Sequence, residues 1–310
     1  MESSDNKLNI LIVGATGHLG SLIVKHCLKK SNLLVNILVR DPEKNKELVA
    51  QVEDAGGKVL QGDLTKPSTL TDCTKGMHTV ISAISAHGEE TMGNDEVMVK
   101  GQTALVEDCI KNQVKRFVPS NFGLNYDRFP PEEISSFSTF FEDKVKFFEY
   151  LKTLPIQILH MKVGLFMEYY FETQKKRGFG YWGEIDQVFN LTCYEDAAKF
   201  TAEVVSRENQ DGLLVFIGEN MSIKQIAATY NQVRKTEKEP KKFGSYEDLK
   251  KQYEEKKKEG KTKEADNLGI PIVLYDQRSK FENNNNDQFP QIKPTSLKEF
   301  LEQNHDIILP

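Results

Sequence analysis

No run of apolar residues in this 310-residue chain approaches the roughly 18 that a membrane-crossing helix requires. The four cysteines, Cys27, Cys73, Cys109 and Cys193, lie far apart and form no CxxC pair. A disulfide framework and a zinc ribbon are therefore both excluded, and reduced core thiols are expected. The six histidines show no HxxxH or Cys/His spacing, so no metal site is expected. No charged-then-apolar signal opens the chain. Met1–Lys7 reads as a short polar leader, and the cytoplasm is the expected location. A formal net charge of −5 gives no reason to expect nucleic acid or an anionic membrane as a partner. Internal repeats are absent as well.

What is present is an alternation of short apolar runs and longer helical patterns. Leu8–Val13, Asn36–Val39, Lys58–Leu60, Thr79–Ile84, Arg116–Val118 and Ile156–Met161 read as strands. The stretches 18–30, 43–55, 95–113 and 136–152 read as helices between them. Parallel strands need long crossovers, so this order predicts an α/β fold with a doubly wound parallel sheet. A ligand would then sit beyond the carboxyl ends of the strands. After Gly164 the pattern loosens. Tyr194–Arg207, Ser222–Val233, Tyr246–Lys258 and Thr295–Glu302 read as helices and Leu213–Ile217 as a strand. Glu237–Asp266 is dense in Lys and Glu, and Asn283–Asn286 reads as a loop or disordered tip.

The segment NILIVGATGHLGSLIV (9–24) runs an apolar strand into three glycines and then a helix. Backbone N–H groups at the start of such a helix converge on one point, and the helix dipole adds positive potential there. Gly14, Thr16, Gly17, His18, Leu19 and Gly20 are thus candidates to hold a pyrophosphate. Small residues admit the phosphates, and Gly20 lets the helix close on the strand. The spacing is GxxGxxG rather than GxGxxG. At the end of the second strand, about 20 residues on, an acidic residue would bind a ribose hydroxyl and an arginine a 2′-phosphate. Arg40 comes first there, with Lys44 and Lys46 on the next turn, which favours NADP(H) although Asp41 follows. Asp63, after the third strand, is placed either to accept from the adenine end or to cap a helix. Ser82, Ala83 and Ile84 end the fourth strand on the same side, with His87 beyond them.

VGATGHLG, VRDPEK, QGDLTKPSTL, TVISAIS and VKRFVPSNFG, in this order, resemble the isoflavone reductase-like and NmrA-like proteins, atypical members of the short-chain dehydrogenase/reductase superfamily. The resemblance is good over 8–170 and looser beyond. It implies a Rossmann domain binding NADP(H) over 1–165 and a smaller α/β domain over 166–310 that holds a substrate, with part of 186–220 packing back on the first. It also implies that Lys144, in the helix after the fifth strand, is the family lysine, a candidate general acid/base that also contacts cofactor. Asn121 departs from the usual PSEFG, where a glutamate stands.

The Tyr-x-x-x-Lys pair of the common short-chain reductases occurs twice, at Tyr246/Lys250 and Tyr253/Lys257, but in the Lys-rich stretch far past the fifth strand. Four residues before Lys144 stands Phe140, which has no proton to give, so the tyrosine mechanism is excluded. Lys144 borders a helix face rich in phenylalanine, where desolvation would lower its pKa; the plain alternative is a solvated lysine. Phe122, Phe166 and Tyr169, with Met167, Tyr170 and Trp182, read either as an aromatic wall for a substrate or as core. His160 reads as a strand-end histidine. Two functions follow from these residues. One is an NADPH-dependent reductase of a small aromatic, quinone-like or conjugated carbonyl substrate. The other is an NADP(H)-sensing regulator that binds a protein partner without turnover.

Overall fold

A computed structural model of the chain describes residues 7–85 and 96–310. The elements run β1 (Leu8–Val13), α1 (His18–Cys27), β2 (Leu33–Val39), α2 (Lys46–Asp54), β3 (Val59–Gln61), β4 (Thr79–Ser82), α3 (Gln102–Lys111) and β5 (Arg116–Val118). Then follow α4 (Pro131–Phe137), α5 (Thr139–Leu151), β6 (Gln157–Lys162), β7 (Leu165–Phe166), α6 (Met167–Arg177), β8 (Gly180–Trp182), β9 (Val188–Thr192), α7 (Tyr194–Val205) and β10 (Gly212–Val215). The chain closes with β11 (Glu219–Ser222), α8 (Ile223–Arg234), β12 (Lys241–Gly244), α9 (Tyr246–Lys258), α10 (Thr262–Tyr275) and α11 (Leu297–Gln303).

Two units result, and neither is a single stretch. The first takes the chain up to Asn121 with Asp143–Met161 and Ala198–Leu214. The second takes Phe122–Glu142, Lys162–Ala197 and Val215–Pro310. Ala198–Leu214 joins the first unit, where β10 adds a strand beside β6.

The first unit is built on a seven-stranded sheet in the order β10-β6-β5-β4-β1-β2-β3, so the fold is the expected doubly wound α/β one. Every register from β3 across to β6 is parallel. Strand order reverses between β1 and β4, where Val13 lies opposite Ser82, and that reversal opens a crevice at the carboxyl ends of the strands. Leu11, Val13, Val80 and Phe117 on one face of the sheet form a core with Leu105, Val106 and Cys109 of α3 and with Phe147 and Leu151 of α5. β2 starts at Leu33, ahead of the Asn36 start read from the sequence. Asn36 is buried inside it with its amide satisfied, donating to Ile10 O at 3.0 Å and accepting from Lys58 N at 2.9 Å.

Two helices differ from the sequence reading. Glu96–Gly101 winds as a π-helical turn before α3, and Gly101 lies so close to Leu64 that a Cβ would stand 2.7 Å from its carbonyl oxygen. The expected 136–152 helix is broken at Ser138, which is extended. Its Oγ accepts the Phe141 N–H at 3.3 Å and so caps α5.

The second unit holds a three-stranded sheet, β11-β9-β7, and the parallel pair β12-β8, around an aromatic core. Phe171 stacks on Tyr230 and Phe300 with ring centroids 6.2 and 6.3 Å away. The Lys/Glu-rich stretch holds β12 and the start of α10, neither of which the charge pattern announces. α10 even contains Pro271. Tyr246 donates to Asp276 Oδ2 at 3.1 Å and Tyr253 to Ser136 O, so both hydroxyls serve local structure. The asparagine run is not a disordered tip. Asn285 Oδ1 accepts from Val215 N at 2.8 Å, and Asn286 exchanges bonds with both backbone groups of Ile217.

No helix among the described residues is long and apolar enough to cross a membrane, and no group of His, Cys, Asp and Glu there is arranged to hold a metal ion. All four cysteines are free and buried.

In the first unit, Arg116 is wholly buried. Its guanidinium donates to Thr79 Oγ1 and to the carbonyls of Val205, Arg207 and Gln210 at 2.7–3.1 Å, closing the end of α7. Arg116→Met fills similar space but removes the guanidinium donor from three carbonyls, that of Val205 buried and the other two partly so. It should cost roughly 3 kcal/mol, read as a lowered midpoint in denaturant unfolding.

Candidate functional site

The glycine turn is assembled backbone to backbone. Gly14 has φ +82°, a conformation that side chains avoid, and a Cβ there would lie 2.7 Å from Ala83 O. A Cβ on Gly20 would lie 2.0 Å from Gly14 O, so α1 closes on β1 only without a side chain. Gly17 differs: it is extended, exposed and open, with only Gly14 O within contact at 3.4 Å. It stands at the N-cap of α1 with no side-chain cap, and no acidic residue occupies the first turn. Thr16 and His18 are exposed and Leu19 is half-buried. A helix start of this kind presents N–H groups and positive potential to an anion, and the surrounding small residues suit a pyrophosphate.

At the tip of β2, Arg40 is exposed, and among the described residues its guanidinium makes no ion pair. Asp41 is engaged locally. Its Oδ1 accepts the Glu43 N–H at 3.1 Å and its Oδ2 lies 3.3 Å from Lys44 Nζ, so its charge is spent on a tight turn. Lys46 lies in a surface pair with Glu43 at 3.0 Å. Asp63 Oδ1 takes the backbone N–H and the hydroxyl of Thr65, at 3.0 and 2.9 Å, and so shapes the turn after β3. Burial pushes the Asp63 carboxyl up, but those two bonds and the field of Arg40 hold it below the usual range.

Ala83 and Ile84 follow β4 and meet the end of β5. Ala83 N–H donates to Val13 O at 2.8 Å, and Ile84 O accepts the Ser120 hydroxyl at 2.6 Å. Ser82 itself is wholly buried, and its Oγ has no partner among the described residues. Ser120 is the centre of a tight turn closed by Asn121 N–H to Pro119 O at 2.8 Å. Its N–H donates to Gln102 Oε1 at 3.2 Å, and its carbonyl accepts Lys144 Nζ at 2.8 Å. Lys144 is buried, with Nζ 5.7 Å from the Phe148 ring centroid. It is therefore not the solvated lysine of the plain reading. Asn121 is buried with Nδ2 3.4 Å from His160 Nδ1. Phe140 is buried against Phe141.

The aromatic candidates belong to the second unit. Phe122 and Tyr169 are half-buried, and Phe166 lies 4.3 Å from the Tyr194 ring. The segments that carry Phe122 and Phe166 are joined near them, where Gly164 N–H donates to Gly123 O at 3.1 Å. His87 lies outside the described residues.

Three residues were missed by the sequence reading. Gln102 leaves no trace in sequence, because its role depends on a fold contact with Ser120. Lys162, a wholly buried cation ending β6, could have been noticed as a lysine closing an apolar strand. Glu168, in the first turn of α6, accepts the Tyr194 N–H on Oε1 at 2.8 Å, while its buried Oε2 has no hydrogen-bond partner among the described residues. Burial raises the Glu168 carboxyl to about 7, and the backbone N–H groups of Glu168 and Tyr194 only partly offset this.

The model of the NmrA-like family matches residues 6–301. Among curated relatives, the isoflavone reductase homolog IRL of Zea mays is 35% identical over 131 residues, which is 40% of this chain and 38% of that protein. The photosystem II assembly factor Ycf39 of Guillardia theta is 28% identical over 207 residues, 64% of this chain and 61% of that protein. The matched region thus spans less than two thirds of these relatives' own length. A solved structure of AtPrR2 with NADP+ and (+)pinoresinol superposes with a TM-score of 0.74 at 21% identity, covering 96% of this chain and 98% of that one. That similarity speaks for the fold.

The Glu168 carboxyl generates a pH prediction. Because its folded pKa of about 7 exceeds the ordinary 4.5, its contribution is fully present below pH 4.5 and is lost as pH rises through 7. The wild type should therefore lose stability between pH 5 and pH 8. In Glu168→Gln that slope should flatten, which thermal unfolding across the range will show.

Proposed function

The chain belongs to the NmrA-like family, and we propose that within it this protein is an NADPH-dependent reductase of a small aromatic, quinone-like or conjugated carbonyl substrate. The observation that carries the reading is the linkage from the glycine turn to a buried lysine. Gly14 abuts Ala83, Ile84 O holds the Ser120 hydroxyl, and Ser120 O holds Lys144 Nζ. An acid/base group is thereby fixed to the strand ends where a dinucleotide would lie. The names of relatives, isoflavone reductase homologs among them, and the NADP+ in the AtPrR2 structure support it.

The residues fit such a cofactor. Gly14, Thr16, Gly17, His18, Leu19 and Gly20 would take the pyrophosphate at the α1 N-terminus. Arg40, exposed and without an ion pair among the described residues, would take the 2′-phosphate, with Lys46 adding positive charge. Asp41 does not oppose this, because its carboxylate is already committed to Glu43 N–H and Lys44. Asp63, Ala83 and Ile84 would border the adenine and nicotinamide ends, with Ser82 beneath them.

When bound, NADPH supplies the hydride. The proton is the task of this chain. Lys144 Nζ offers one N–H to Ser120 O whether charged or neutral, so the carbonyl fixes the direction of the remaining N–H bonds in both states. One of those delivers a proton to the oxygen or carbon that gains negative charge. Phe140 supplies no hydroxyl, so the step rests on Lys144 or on water ordered by it. Phe122, Phe166 and Tyr169 would provide the apolar surface against which an aromatic substrate lies.

Two measurements test the reading. Arg40→Asp should weaken NADPH binding at least about tenfold while NADH changes little, read by fluorescence titration; equal losses reject the phosphate role. Lys144→Ala should lower NADPH oxidation with menadione, coniferaldehyde or pinoresinol about 100-fold while cofactor binding persists. A wild type that binds NADPH but oxidises it with none of the three would instead be the sensor with a protein partner.

A further inference from the structure

Lys162 is a wholly buried ammonium with every direction filled. Nζ lies 3.3 Å from each carboxylate oxygen of Asp127, 3.4 Å from Leu124 O and 3.8 Å from the centroid of the Tyr126 ring. Burial pushes its pKa down to about 8, and the Asp127 carboxylate only partly restores it. An apolar side chain of similar length would fill the same space without that desolvation cost. Stability alone therefore does not account for a charge here.

What the charge achieves is a fixed geometry. Among the described residues the partners of its ammonium come from one short stretch, Leu124–Asp127, while Lys162 itself ends β6. Two residues on, Gly164 N–H holds Gly123 O at 3.1 Å. Gly164 is in the left-handed region, φ +73°, with the position of a Cβ only 2.5 Å from Asn190 O, so this strand end has no freedom to shift. The stretch is tied on its other side by Asn125 N–H to Ser279 O at 3.2 Å. Phe122 lies two residues before the clamped segment, and Phe166, in β7, lies two residues after Gly164.

We propose that Lys162 is a positioning residue for the substrate: by gripping Leu124–Asp127 it fixes the backbone that carries Phe122 against the strand that carries Phe166, and so sets the aromatic wall. This rests on the reductase reading above. The wall then discriminates by shape. A loosened segment still admits a flat aromatic molecule but holds it in more than one pose, which raises KM more than it lowers kcat.

The test uses the full chain with NADPH and whichever of menadione, coniferaldehyde and pinoresinol the wild type reduces. Lys162→Met should raise KM about tenfold, change kcat less than threefold and leave NADPH affinity within twofold. Asp127→Asn, at a half-exposed position where the amide oxygen can still accept from Lys162, should raise KM in the same direction. The double variant should be no worse than Lys162→Met alone, because both remove one interaction. Hydrogen exchange of residues 123–127 should quicken in Lys162→Met while residues 14–20 keep their NADPH protection. An unchanged KM, additive losses, or a parallel loss of NADPH affinity would overturn the proposal. Should the wild type reduce none of the three, the reductase reading falls by itself. The exchange result then decides the clamp separately, with unchanged exchange at 123–127 overturning it.

Discussion

Gly14 meets Gly20 on one side and Ala83 on the other with no side chain between them, and the first unit's working end is arranged around that contact. Because β1, α1 and the loop after β4 touch through backbone, the start of α1 is held at one height above the sheet. The same loop passes its constraint onward through Ile84 O to the Ser120 hydroxyl, and through Ser120 O to Lys144. Each link ends on a peptide carbonyl or N–H. The geometry therefore depends on the strand ends staying where they are, and the seven-stranded parallel sheet holds them there.

The second unit solves a different problem. Its core is aromatic, and Lys162 and Glu168 are among the ionisable groups that the unit buries against their preference for water. Lys162 is satisfied by a carboxylate, a carbonyl and a ring, so its charge persists at the cost of a lowered pKa. Among the described residues Glu168 has only the Tyr194 N–H as a partner from another residue, and it responds in the opposite direction, toward the neutral acid. The contrast follows from partner number. A buried charge survives where its hydrogen-bonding capacity is filled and is given up where half of it is empty.

Much of the first unit was legible in the sequence because its signals are local. An apolar run ending in Gly14, a helix start at His18 and a cation at Arg40 depend on neighbours in the chain, and the parallel order follows from alternating periods. The helix break at Ser138 was not legible, since its extended backbone interrupts an apolar pattern that runs straight through. Nor was α10, where Pro271 lies inside a helix whose apolar side is covered by residues far away in sequence. Lys144 could be placed only through the family resemblance, because its burial depends on Phe148 and on the Ser120 turn. The tie from Gln102 to Ser120 joins residues 18 apart and has no signature in one sequence.

The asparagine run has a consequence of its own. Val215 and Ile217 would offer an unpaired row of backbone donors and acceptors along β10 and just past it. Asn285 answers Val215 with its own backbone and side chain, and Asn286 answers Ile217 with its amide. A primary amide carries the same donor and acceptor as a peptide group, so these two side chains imitate a neighbouring strand without being one. They occupy the backbone groups of Val215 and Ile217 that a foreign chain would otherwise take, and so close that stretch without inviting another molecule to continue it.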